Sequence, residues 1–198
     1  MKETAIRSAR RWVAALAVAA AVVVAPAQVA TAAPAAFAEQ ARAAGLDQRE
    51  ARQLQSQVDQ VLAEMKVGGR QISANEVLSN DGLVKVVVPV PGEERARALS
   101  GSAGRAVCTY EYLCLFDGPN YTGLMRELYA CSMVNLGNYG QHDRLESYYN
   151  NQTIGTVANF YNWTGSWGRP KFGSTAPHSD PNLWRWGWQN MIDGVDPC

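Results

Sequence analysis

Catalytic signatures are what this chain lacks. It holds no G-x-S-x-G nucleophile elbow, no H-E-x-x-H helix and no glycine-rich phosphate loop. Only two histidines occur, His142 and His178, and both fall in predicted turns. The four cysteines include no paired C-x-x-C, so a zinc site would have to draw on both distant histidines. Charge is sparse and balanced, 18 Lys and Arg against 18 Asp and Glu, with no basic stripe and no acidic block. These absences argue against an enzyme, a nucleic-acid binder and a protein held on an anionic membrane. One long apolar run exists, Trp12 to Ala25; it is short for a membrane span and no second run follows.

That run is the first informative presence. Lys2, Arg7, Arg10 and Arg11 flank it on one side and the small residues Ala30-Thr31-Ala32 on the other. This is the pattern of a secretory signal peptide over residues 1–32, cleaved before Ala33, and the expected location is extracellular. Its removal takes four of the 18 basic groups and one of the 18 acidic ones, leaving 14 against 17. An even number of cysteines in an exported chain points to two disulfides. Four cysteines allow three pairings; Cys108–Cys114 with Cys131–Cys198 is the favoured one. In the loop-entropy model these would contribute about 2 and about 4 kcal/mol.

Three parts follow the signal. Residues 33–91 read as a small helix-plus-hairpin unit with an Ala-rich, weakly helical lead-in. Asp47 and Glu50 have capping-box spacing, and Ala51, Leu54, Val58, Val61, Leu62 and Met65 recur at helical intervals until Gly68 and Gly69. Asn80-Asp81-Gly82 then joins two strand-like runs. A unit of this size has a marginal core, so docking on the C-terminal domain, docking on a partner and service as a pro-segment all stay open. Residues 92–105 read as a linker. Residues 106–198 change character: short runs at Tyr112–Phe116, Leu124–Tyr129, Arg144–Tyr149, Thr156–Tyr161 and Leu183–Trp188, divided by Gly, Asn and Pro, predict an all-β sandwich. Gly168 to Asn182 is the longest irregular stretch.

Within that part the chain repeats itself. Phe116-Asp117-Gly118-Pro119-Asn120-Tyr121-Thr122-Gly123 is echoed by Phe160-Tyr161-Asn162-Trp163-Thr164-Gly165. His142-Asp143-Arg144-Leu145-Glu146-Ser147 is echoed by Gln189-Asn190-Met191-Ile192-Asp193-Gly194. Two pairs in one order imply a duplicated unit of about 40 to 50 residues. Trp184, Trp186 and Trp188 alternate, so in a strand their indoles would share one face. Two readings of the row stay open: a buried core filler, or an exposed surface that stacks on sugar rings.

Phe116-x-x-x-x-Tyr121-x-Gly123 resembles the folded-hairpin signature of βγ-crystallin Greek keys. With Cys108, Cys114, Cys131 and the signal peptide, residues 105–198 resemble the small secreted relatives of Streptomyces metalloproteinase inhibitor. The resemblance implies a mostly β fold: a double Greek-key sandwich at the C-terminus, preceded by the helix-plus-hairpin unit. It implies a non-enzymatic inhibitor, likewise monomeric, whose partner is a secreted zinc protease of the thermolysin type. Ser132, Met133 and Val134, next to Cys131, are the candidate inhibitory loop; an ordinary strand-to-turn segment with Val134 and Leu136 buried is the alternative, and the Pro-rich 168–182 stretch is a second candidate. Tyr121, Gly123, Trp163 and Gly165 would shape the two folded hairpins, with Ser147 bonded to the first. No cofactor is required. Microbial relatives of the fold bind calcium, and Asp143, Glu146, Asn190 and Asp193 are the oxygens this chain offers, although the first ligand and the hydroxyl of the usual pattern are replaced in both repeats. A carbohydrate-binding or calcium-binding module is the alternative function.

Overall fold

A computed structural model describes residues 32–101 and 107–198; the expected signal peptide, up to residue 31, lies outside them. Among the described residues the chain forms two helices, α1 (Ala32–Ala43) and α2 (Gln48–Glu64), and eleven strands. Helix α2 begins with the expected capping box. The Asp47 carboxylate accepts the N–H groups of Arg49 and Glu50, and Glu50 accepts that of Asp47. Its buried stripe is Leu54, Val58 and Val61. Helix α1 is regular where only a weak lead-in was expected. Gln40 pins it by accepting the Ala74 N–H at 2.6 Å and donating to Leu99 O at 3.0 Å. Tertiary contact supplies what an isolated short helix lacks.

The strands are β1 (Gly69–Gln71), β2 (Glu76–Ser79), β3 (Val84–Val87), β4 (Leu113–Gly118), β5 (Thr122–Leu128), β6 (Val134–Asn135), β7 (Ser147–Asn150), β8 (Val157–Tyr161), β9 (Phe172–Thr175), β10 (His178–Asp180) and β11 (Gly194–Asp196). They make two antiparallel sheets, ordered β1-β2-β3-β5-β4-β7-β10 and β6-β11-β8-β9. The fold is mostly β, as expected. The helix-plus-hairpin segment shares the larger sheet with the C-terminal part: β3 pairs with β5, from Val84 opposite Leu128 to Val87 opposite Met125. Leu54, Val58 and Val77 lie in one core with Leu113, Leu115 and Leu128. Docking on the C-terminal part is thus what the segment does.

Charges and the connecting chain reinforce that docking. Lys85 of β3 lies 3.5 Å from Glu76 and pairs also with Glu127 of β5, and both carboxylates are buried. Burial opposes the charge on Lys85, but the hydrogen bond and field of Glu127 outweigh it and hold its pKa above the usual lysine value. Residues 92–101, expected to be linker, are tied down. Asn75 donates to Arg97 O at 2.7 Å and accepts the Leu99 N–H at 3.0 Å. Glu94 O accepts the Gly123 N–H at 2.8 Å.

The duplication is visible in detail, at an offset of 47 as 182 is from 135. Asn135 and Asn182 each cap a one-turn 3-10 helix, Leu136–Tyr139 and Leu183–Trp186. Gly140 and Gly187 close those turns at φ +72° and +70°. Asp143 and Asn190 both take positive φ, at 54° and 49°. Leu145 and Ile192 are both buried. In the first strands the register differs by one from the sequence match. Phe116 pairs with Ser147 and Tyr161 with Gly194, so Tyr161 is the counterpart of Phe116. Phe160, paired with Val195, fills the core as Leu115 does.

Two expectations are corrected. Leu183–Trp188 is not a strand, and its three indoles do not share a face. The Asn182 side chain accepts the Trp184 N–H at 3.0 Å and left-handed Gly187 ends the turn, which favours a tight helix over extension. Residues 168–182 are not irregular throughout. They contain β9 and β10, which belong to different sheets, with the cis bond Ala176–Pro177 at the crossing.

Candidate functional site

The cysteines pair as Cys108–Cys114 and Cys131–Cys198, and none is free. The second bridge fixes the turn Tyr129–Met133 between β5 and β6 to the last residue of the chain. Within the turn the Ser132 N–H bonds to Ala130 O at 2.9 Å. Tyr129 is 59% exposed and Met133 39%. Val134 is buried and pairs with Val195 of β11, and Leu136 is buried as well. Strand alternation explains the split: once Val134 faces the core, Met133 faces out. Of the candidate loop residues Ser132, Met133 and Val134, Met133 is therefore the apolar side chain a partner can reach.

Met133 does not hang free. A methyl group built on Gly194 would meet Met133 Cε at 2.5 Å and the Trp167 ring at 2.7 Å. The glycine thus lets thioether and indole close over the backbone of β11. Trp167 meets Trp163 edge-on, ring centres 4.8 Å apart, and both are partly exposed. The Trp163 N–H donates to Asp193 Oδ2 at 2.7 Å. Beside this shelf a cleft of about 160 Å³ is lined by Lys66, Asn135, Asn138, His142, Trp163 and Asp193, among others. The sequence pointed to Met133 and Trp163. It gave no sign of Trp167 or Lys66, which arrive from a loop and from the end of α2; Tyr129 was detectable as an aromatic two residues before Cys131.

The hairpin of β4 and β5 folds sharply between Asn120 and Gly123. Asn120 and Tyr121 take positive φ, 56° and 65°, before Gly123 at 76°. Phe116 and Tyr121 meet edge-on at 5.6 Å. Buried Ser147 accepts the Tyr121 N–H at 3.1 Å and donates to Gly118 O at 2.6 Å. In the second repeat Gly165 has φ +95°, and Asp193 supplies the acceptor for Trp163.

Of the proposed calcium ligands, Asp143 and Asp193 lie in one group with His142, their donor atoms within 4.8 Å of one another; Glu146 is not in that group. His142 Nδ1 lies 2.8 Å from Asp143, and Nε2 lies 3.1 Å from Asp193 Oδ1, off the line of a hydrogen bond. Calcium takes six to eight oxygens. Two carboxylates and an imidazole that already lies between them are a poor match, and no role is assigned to calcium.

Residues 101–170 match the model of peptidase inhibitor family I36. The match begins before Cys108, contains the turn Tyr129–Met133 and the first folded hairpin, and ends after Trp167. Over that span the chain is similar to the peptidase inhibitors of this family, in line with the sequence resemblance. No curated protein and no solved structure matches it.

Proposed function

We propose that the chain is an exported, non-enzymatic inhibitor of thermolysin-like zinc proteases, and that the turn Tyr129–Met133 enters the target's cleft. The observation that carries this reading is the placement of exposed Met133 on a turn anchored by Cys131–Cys198 and seated over Gly194. A segment already fixed in shape loses little entropy on docking, and compact inhibitor interfaces can be tight. Met133 would occupy the apolar specificity pocket, with Trp163 and Trp167 as a flanking contact.

The strand order supports reading residues 113–196 as two Greek keys of the βγ-crystallin kind. Each four-strand unit, β4 to β7 and β8 to β11, gives its third strand to the other unit's sheet. The two disulfides fit an oxidising, extracellular setting. No described helix is long and apolar enough to cross a membrane. Mixing the full chain in micromolar excess with a panel of thermolysin-like enzymes tests the reading. Stoichiometric loss of proteolysis is expected; undiminished activity across the panel would overturn it.

A further inference from the structure

We infer that His142 Nε2 and Asp193 Oδ1 form a binding site for a zinc ion, with Asp143 set against the other ring nitrogen of His142. The two ligands come from different repeats: His142 lies between β6 and β7, and Asp193 directly precedes β11. Their donor atoms and that of Asp143 lie within 4.8 Å of one another. No cysteine takes part, since all four are in disulfides. Proximity alone does not make a site; the buried end of Asp193 supplies a second, independent reason.

Asp193 is 2% exposed, and its two oxygens are used differently. Oδ2 accepts the Trp163 N–H at 2.7 Å. Oδ1 is buried and accepts no hydrogen bond. A buried carboxylate oxygen without a partner is costly, so this atom calls for a cation. The main chain holds it still: the Asp193 N–H donates to Tyr161 O, and Asp193 O accepts the Leu136 N–H, both at 2.8 Å. His142 Nε2 lies 3.1 Å from Oδ1 without a hydrogen bond between them. Zinc bonds of about 2.0–2.2 Å at a tetrahedral angle set two ligand atoms about 3.3 Å apart. The observed spacing is close to that, and the exposed imidazole is free to make the small remaining shift.

The surrounding groups select the ion. Asp143 Oδ2 lies 2.8 Å from His142 Nδ1. A carboxylate there favours the tautomer with its proton on Nδ1 and leaves the Nε2 lone pair for a metal, as metal-bound histidines usually do. Calcium and magnesium take oxygen ligands, whereas imidazole with carboxylate suits zinc. Zinc also has no geometric preference from its d electrons, so it accepts a pair of ligands whose angle the fold dictates. The cleft beside His142 and Asp193, lined also by Asn135 and Asn138, has room for the waters that complete four-fold coordination. Binding there ties the first repeat to the second at the foot of the Trp163 hairpin.

The test is calorimetric titration of zinc chloride into the untagged full chain, first stripped with EDTA. Saturable binding of a single zinc per chain at micromolar concentration is expected, undisturbed by millimolar calcium. Asp143→Asn should weaken it about tenfold, as loss of a histidine's carboxylate partner does, and His142→Gln at least as much. Both side chains are exposed, so both variants should melt with the wild type. His178→Gln, at the other histidine of the chain, should bind zinc as wild type. Absence of saturable binding would overturn the inference and leave His142 as an ion-pair clamp between two acids. Binding undiminished in His142→Gln, equal loss in His178→Gln, or displacement of zinc by millimolar calcium would overturn it as well.

Discussion

Ser147 holds Tyr121 in a backbone conformation that a tyrosine rarely adopts. Tyr121 sits at φ +65° after Asn120 at +56°, and the Ser147 hydroxyl accepts the Tyr121 N–H while donating to Gly118 O. Left-handed non-glycine residues persist where surrounding bonds over-determine them. Ser147→Ala would strand two part-buried backbone groups and should cost about 2 kcal/mol. Thermal unfolding would register this as a fall of about 4–8 °C. An unchanged melting temperature would mean that water or a shifted backbone replaces the hydroxyl.

The long disulfide should matter for both stability and inhibition. Replacing Cys131 and Cys198 with Ser releases a loop of sequence separation 67 and should cost about 4 kcal/mol. Denaturant titration measures that loss. At temperatures where the variant stays folded, its inhibition constant should still rise, because the turn loses its anchor.

Lys85 links the N-terminal hairpin to β5 through two buried carboxylates. Lys85→Met would leave Glu76 and Glu127 facing each other and should cost about 3 kcal/mol, toward the lower end for a broken pair because Lys85 is partly exposed. Tyr139 adds a second link, its hydroxyl donating to Asp81 at 2.7 Å. Burial and that bond raise the Tyr139 pKa, and Lys85 is raised as described. Both groups have folded pKa values above their unfolded ones. Their contribution is complete below the unfolded values, about 10 and about 10.4, and is lost as pH rises through the folded values. Stability should stay level from neutral pH to near pH 10 and then fall, more gently in Tyr139→Phe.

Calcium should have no effect on melting. A ligand that binds only the folded state raises stability with its concentration. The carboxylates of Asp143 and Asp193 are engaged by His142 and by the Trp163 N–H. Millimolar calcium should leave the melting temperature unmoved; a rise that saturates with concentration would reveal a site.

Local signals made much of the fold legible. The capping box at Asp47, the Asp81-Gly82 hairpin and the alternating strands depend on neighbours in sequence, and each appears in the structure. The pairing of β3 with β5 could not be read, because nothing in either strand names its partner. The Trp184–Trp188 alternation imitated a strand while its flanking cues, Asn182 before and Gly187 after, favoured a turn. Asp193 resembled a metal ligand by position, yet one of its oxygens holds the second hairpin. At the candidate turn, the cysteine marked the place. Only strand register decided that Met133 faces out and Val134 faces in.

Gly194 offers a way to move the turn without altering its sequence. Gly194→Ala puts a methyl group within 2.5 Å of Met133 Cε and must displace Met133 or Trp167. Overpacking of this kind costs about 1–3 kcal/mol. Inhibition should weaken although every residue of Tyr129–Met133 is retained.

The most direct measurement is the inhibition constant of the full chain against a thermolysin-like protease, wild type beside Met133→Asp. A charge placed in an apolar specificity pocket should weaken inhibition by about a hundredfold or more, since burying an unpaired carboxylate costs several kcal/mol. Met133 is part-exposed, so the variant should unfold at nearly the wild-type temperature. Tight inhibition by wild type, lost in a folded Met133→Asp, is the predicted result. Equal inhibition by the two proteins would contradict the assignment of the turn.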